Sequence, residues 1–246
     1  MPHLSDEDKS FFKANGYLVK HDTLTQEQID AAQDALWSGI EADRDDPESW
    51  INAGPMVPVP GSHPAIRATM FDTPNFETAE ELVGKGLLNQ GGPGPHLRYP
   101  SGESDWSPPP HGHLDGYYTP TNGVPEGTVG RFSIAATIYV DEVVHRGGGF
   151  TVWPGSHIRA CEHFKDHSLL SIKGGVGMDL GDCTEITGPA GTVCFWHGRL
   201  FHTGSPNCSD RIRMALIARL SRKDMSDILF EEPDDLWEYY PALQKV

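Results

Sequence analysis

The chain has 246 residues, 37% of them hydrophobic, enough to bury a full core in one large domain or two small ones. Its formal net charge of −16, from 35 acidic against 19 basic side chains, argues against a nucleic-acid partner, because phosphate contacts need clustered Lys and Arg. The longest apolar run, FSIAATIYV, is far too short to span a bilayer, and MPHLSDEDKS lacks the basic start and apolar core of a signal peptide, so a cytoplasmic protein without a membrane partner is expected.

In chain order, SDEDKSFFKANG reads as a capped helix, with Ser5 as N-cap, acids in the first turn, Phe11 and Phe12 inward and Gly16 as the stop. A short strand, YLVK, follows. TQEQIDAAQDALWSGIEA keeps Ile29, Ala32, Ala35, Leu36 and Ile40 near helical spacing, and Thr25 with Gln28 forms a capping-box pattern. From Asp43 to about Pro64 the chain turns acidic and then rich in Pro and Gly, which predicts a long loop covering something. TAEELVGKGLL reads as a third helix.

Beyond Gly91 the runs HLRYP, RFSIAATIYV, GFTVW, TEIT, TVCFWHG and RIRMALIARL alternate with Gly, Pro and Asn turns, the spacing of a sandwich or jelly roll. In RFSIAATIYV, Phe132, Ile134, Ala136, Ile138 and Val140 form one face, fit to pack beneath the N-terminal helices. No composition break divides the chain. The expectation is one domain over residues 1–246, helical to about 90, all-β from about 91 to 222, then a C-terminal tail. GGVGMDLG has the wrong glycine spacing for a dinucleotide loop and reads as a plain loop. Cys161, Cys183, Cys194 and Cys208 include no CxxC pair and read as free thiols. NCS at 207–209 matches a glycosylation acceptor, idle in a cytoplasmic chain.

Chemistry concentrates in HGHLDG. On a strand, the period of two sets His111, His113 and Asp115 on one face and Leu114 on the other. An HxD pair plus a remote histidine is the facial triad of non-heme Fe(II) enzymes, which leaves three positions open. With twelve histidines in the chain, HxD alone is weak evidence. TVCFWHGRLFHTGSPN offers His197 and His202, which would face opposite ways on a regular strand; His202, just before the turn TGSPN, is the better candidate. Eleven positions further, Arg213 enters an apolar strand where a dicarboxylate would give it a partner, with Arg211 as the rival. Arg131 and Tyr117 are candidate substrate contacts, Arg131 for a carboxylate or phosphonate. The loop YYTPTNGVPEGTVG, residues 117–130, is a candidate lid.

In this order the motifs resemble the phytanoyl-CoA dioxygenase family of Fe(II)/2-oxoglutarate-dependent oxygenases over most of the chain. SDEDKSFFKANGYLVKHDTLTQEQIDAA is similar to that family's opening, HGHLD to its HxD, GGGFTVWPGSH to its Gly-rich turn, and HTGSPNCSDRIR to its distal His and Arg. The resemblance implies an all-β core with N-terminal helices, a cupin-like double-stranded β-helix (jelly roll). It implies His113, Asp115 and His202 as catalytic iron ligands and Arg213 as the clamp on the 2-oxoglutarate C5 carboxylate. It also implies conversion of 2-oxoglutarate and O2 to succinate and CO2 as a small-molecule substrate is hydroxylated. Related halogenases lack the carboxylate ligand, so Asp115 favours hydroxylation. Thr137 stands where many relatives carry a tryptophan on the wall of the 2-oxoglutarate pocket, and His111 is an extra histidine beside the pair. Two other classes stay open: a non-catalytic jelly-roll metal- or ligand-binding module, against which Arg213 speaks, and a zinc hydrolase, for which a general base is wanting.

Overall fold

The computed structural model describes residues 3–120, 122–171 and 178–246. In chain order the elements are α1 (Asp6–Asn15), β1 (Tyr17–Lys20), α2 (Gln26–Trp37), α3 (Pro64–Phe71), α4 (Asn75–Val83), β2 (Gly94–Arg98), β3 (Ile134–Tyr139), β4 (Phe150–Val152), α5 (Ser156–Asp166), β5 (Thr184–Ile186), β6 (Val193–His197), β7 (His202–Gly204), β8 (Arg213–Leu220) and α6 (Met225–Ile228). The first half of GGVGMDLG lies outside the described residues.

Helix α1 starts because the Ser5 hydroxyl accepts the Asp8 N–H while the Asp8 carboxylate accepts the Ser5 N–H. It stops at Gly16, left-handed at φ 79°, whose N–H donates to Phe12 O. A Cβ on Gly16 would lie 2.4 Å from His157 Nδ1 and 2.8 Å from Leu200 Cδ1. Gly16→Ala should therefore destabilise the fold by more than the ~1–2 kcal/mol that the left-handed backbone alone costs a non-glycine residue. An unchanged midpoint in chemical denaturation would contradict this. Phe12 is buried, but Phe11 is 42% exposed, standing edge-on to Tyr17. Successive helix positions cannot both face one core, which corrects the expected inward pair.

The capping box of Thr25 and Gln28 opens α2, which buries Ile29, Ala32, Ala35 and Leu36. Two departures follow. Helix α3 begins on Pro64, whose fixed φ suits a first helical position, at the expected end of the loop but as a helix that was not expected. Helix α4 ends at Gly84, so GKGLL is not helical, and Leu88 instead bridges Arg222.

Strands β1-β6-β3-β8-β2 form a five-stranded sheet and β5-β4-β7 a three-stranded one, every pair antiparallel. The pleat divides the large sheet's side chains. Ile134, Ile138, Phe195, Leu216 and Leu220 face the helices, packing with Phe12, Leu36, Ile66 and Leu82, while Ala135, Tyr139, Cys194, Trp196 and Ala215 meet Phe150, Val152 and Ile186 of the small sheet. Phe132 belongs to this inner set, its ring edge-on to Trp196, because the strand begins only at Ile134.

The long loop covers the outer edge of the large sheet. Leu97 N–H donates to Met56 O, Asn52 N–H to Pro100 O and the Tyr99 hydroxyl to Pro55 O, so β2 does not present an open ladder. At the other end of the chain, Tyr240 OH donates to Ser133 O, Arg222 Nη1 to Tyr239 O and Lys13 Nζ to Leu243 O, drawing the C-terminal segment onto α1 and the start of β3. Among the described residues no helix is long and apolar enough to cross a membrane.

Candidate metal centre

His113 and His202 are joined through their backbones. His113 N–H donates to His202 O at 3.0 Å and His202 N–H to His113 O at 3.1 Å, which sets the two imidazoles side by side with centroids 4.6 Å apart. This isolated bridge replaces the expected HxD strand. Gly112 permits it, since a Cβ there would meet Trp153 Cζ3 at 2.4 Å and His202 O at 3.0 Å. Leu114 is buried among Tyr117, Trp153, Phe164 and Phe201 and anchors the segment from behind. His197 and His202 do not share one strand: His197 ends β6 and His202 opens β7 in the other sheet.

One ligand atom from each of His113, Asp115 and His202 lies within 4.8 Å of the others. His113 Nε2 is 3.4 Å from Asp115 Oδ1, and His202 Nε2 is 3.5 Å from Oδ2. His202 Nδ1 donates to Leu200 O at 2.9 Å, which puts the proton there and the free lone pair on Nε2. Trp196 and Phe150 wall its ring, while the His113 side chain is 48% exposed and marks the open side. Burial alone would raise the Asp115 pKa, but His202, His113 and Arg219 outweigh it and hold the carboxyl well below the usual range. An anionic carboxylate and two imidazoles with lone pairs turned to one point are a donor set that fits a divalent iron.

Arg213 is buried, its Nε on Gly148 O at 3.0 Å and its Nη1 on His96 O at 2.8 Å, with two backbone carbonyls and, among the described residues, no carboxylate as its partners. Burial lowers its pKa to about 10, with Tyr139 opposing and Arg98 adding to the effect. Arg98, its register partner on β2, gives Nη2 to Gly204 O and leaves Nε buried without a partner among the described residues. It borders an open cavity of about 470 Å³ lined also by His111, Thr203 and Asn207. Arg211, the rival to Arg213, is paired at the surface with Asp141 at 2.7 Å.

The other expected contacts lie elsewhere. Thr137 Oγ1 accepts the Trp196 indole N–H at 3.0 Å, so Thr137 supports an indole that comes from β6. Arg131 is half-buried, and its Nη1 donates to Leu229 O and Glu231 O, which holds the C-terminal segment. Tyr117 is fully buried and stacks on Phe164 at 5.3 Å, beside the cluster in which Arg199 Nη1 meets Cys161 Sγ and Glu232. Of the candidate lid, Tyr117 bridges Val129 and the Asn122 amide donates to Tyr117 O, which ties the loop to itself; Thr121 lies outside the described residues. His197 Nδ1 accepts the Arg199 N–H and the ring stacks on Tyr240, a structural histidine.

Burial also makes the fold acid-sensitive. His157 Nε2 donates to Lys13 O, and desolvation pulls its pKa to about 4 from 6.5, the hydrogen bond only partly opposing. The unfolded chain therefore binds this proton first, so stability is complete above about pH 6.5 and is lost as pH falls toward 4. Between pH 7 and 5 this one group should cost about 2 kcal/mol. A urea midpoint equal at the two pH values would refute it.

The sequence profile of the family described as Phytanoyl-CoA dioxygenase (PhyH) matches residues 77–215. Among solved structures the chain is similar to the non-heme alpha-ketoglutarate-dependent carbocyclase SnoK from nogalamycin biosynthesis, at 19% identity and TM-score 0.60 over 95% of this chain and 94% of that one. It is similar to HygX from Streptomyces hygroscopicus, solved with iron bound, at 15% identity and TM-score 0.57 over 90% and 88% of the two chains. EvdO2 from Micromonospora carbonacea var. aurantiaca gives 14% identity and TM-score 0.56 over 89% and 93%. At these identities the likeness is one of fold. No curated protein matches the chain at a significant level.

Proposed function

The chain belongs to the phytanoyl-CoA dioxygenase (PhyH) family of oxygenases, and from that premise we propose that it hydroxylates a small acidic metabolite with iron and 2-oxoglutarate. The observation that carries this reading is Arg213, a buried guanidinium with no carboxylate partner among the described residues, on the same inner surface as the His113, Asp115 and His202 cluster. A structural metal site has no use for such a group, whereas 2-oxoglutarate brings the acid it is missing. The two facing sheets are read as the halves of a double-stranded β-helix.

In this mechanism His113, Asp115 and His202 would hold Fe(II) and leave three positions free. Iron there supplies the oxidising chemistry that couples conversion of 2-oxoglutarate and O2 into succinate and CO2 to hydroxylation of a C–H bond. The chain does the rest. Leu200 O fixes the His202 tautomer, Trp196 and Phe150 exclude water behind that ring, and Arg213 with its register partner Arg98 binds the far carboxylate of 2-oxoglutarate.

Charge supports an acidic substrate. Arg98, Arg213 and Arg219 converge on an inner surface whose one ligating carboxylate is Asp115, and ferrous iron and 2-oxoglutarate cancel each other's charge. The surplus suits a carboxylate or phosphonate. An acyl-CoA would want a basic approach, and the chain carries 35 acids against 19 bases. Fe(II)-loaded protein should form succinate faster with small carboxylates or phosphonates than with acyl-CoA thioesters in a substrate panel. Efficient hydroxylation of an acyl-CoA would overturn the substrate assignment.

A further inference from the structure

Arg219 lies six residues beyond Arg213 on β8, and the pleat returns it to the same inner face. Its Nε and Nη2 both donate to one oxygen of Asp115, Oδ2, at 2.8 and 2.5 Å. An arginine facing a carboxylate more often forks across both oxygens. Here the two N–H groups converge on one, while Oδ1 takes no bond from Arg219 and stands 3.4 Å from His113 Nε2.

That asymmetry has a chemical consequence. An oxygen that accepts two charge-assisted hydrogen bonds has its in-plane lone pairs engaged and donates poorly to a metal, whereas Oδ1 keeps its own. We propose that Arg219 is a positioning residue: by capturing Oδ2 it holds Asp115 to a single metal bond through Oδ1 and keeps open a coordination position. A carboxylate free to chelate through both oxygens would occupy one of the three positions that 2-oxoglutarate and O2 need. The role acts through Asp115 and rests on the oxygenase reading above. Arg219 is suited to it without being part of the core, since its side chain is 43% exposed and the segment carrying Asp115 is anchored independently by buried Leu114 and the backbone bridge at His113.

The test uses Co(II) in place of Fe(II), with wild type, Arg219→Ala and Arg219→Lys. Calorimetry reads Co(II) and 2-oxoglutarate affinity, and visible absorption reads the coordination of Co(II). Arg219→Ala should keep Co(II) at equal or tighter affinity, show shifted visible bands before 2-oxoglutarate is added, and bind 2-oxoglutarate at least about tenfold more weakly. Arg219→Lys, which still offers N–H groups to Oδ2, should restore part of both signals. Wild-type bands and wild-type 2-oxoglutarate affinity in Arg219→Ala would overturn the proposal. Failure of the wild type itself to bind Co(II) and 2-oxoglutarate would remove the oxygenase reading and this role with it, a result distinct from any difference between variants.

Discussion

His202→Ala is expected to lose more than about 100-fold in Fe(II) affinity, since even residues that only orient a metal ligand cost 10- to 100-fold when changed. Turnover should vanish with the metal. The substitution leaves the backbone pair between residues 202 and 113 intact, so the fold should survive and the loss be read cleanly by calorimetry. Asp115→Ala should behave alike and also release Arg219. His197→Ala should keep the metal and lower thermal stability instead, because that ring packs on Tyr240 and Trp237. Retained Fe(II) binding in His202→Ala with loss in His197→Ala would assign the centre to the other histidine.

Arg213→Ala is expected to weaken 2-oxoglutarate binding steeply while iron still binds. Losing one side of a buried charge-assisted pair costs roughly 2–5 kcal/mol, or about 30- to several-thousand-fold in Kd. Arg211→Ala should change little, because Arg211 pairs with Asp141 and Glu142 at the surface, where an ion pair contributes on the order of 1 kcal/mol or less. A 2-oxoglutarate affinity unaffected by Arg213→Ala would move the clamp to another residue, with Arg98 the first to try.

What could be read from the sequence followed local rules. The capping residues Ser5 and Thr25 mark helix starts because the bonds they make span three residues. Alternation in RFSIAATIYV and RIRMALIARL marks strands because one face must be dry; β3 is buried on both faces and β8 at every position but Ile217 and Arg219. The metal cluster was legible as HxD and a later histidine in order. Helix α5 escaped notice because Ser156 and His157 open its buried face and only Ala160, Cys161 and Phe164 carry an apolar signal, over little more than one turn. The break between His197 and His202 was hidden too. It depends on Gly198, where a Cβ would strike Phe132 O at 2.1 Å, a contact made across the fold. Arg131 and Tyr117 looked free because their partners, Leu229 O and Phe164, are distant in sequence. Arg219 carried a signal, its even spacing from Arg213 on one strand face, but nothing local says that Asp115 waits opposite.

The pairing of β1 with β6, together with the hold of Lys13 on Leu243 O some 230 residues away, sets a timetable for synthesis. Helices α1 and α2 leave the ribosome long before the sheet that covers Phe12, Ile29 and Leu36 exists, and β1 emerges without a neighbour. A nascent chain of this protein therefore carries bare apolar surface and an unpaired strand until β6 and β8 arrive to close the sheet. Closure of the sheet waits on β6 and β8, and the half-made chain is the form most in need of a chaperone.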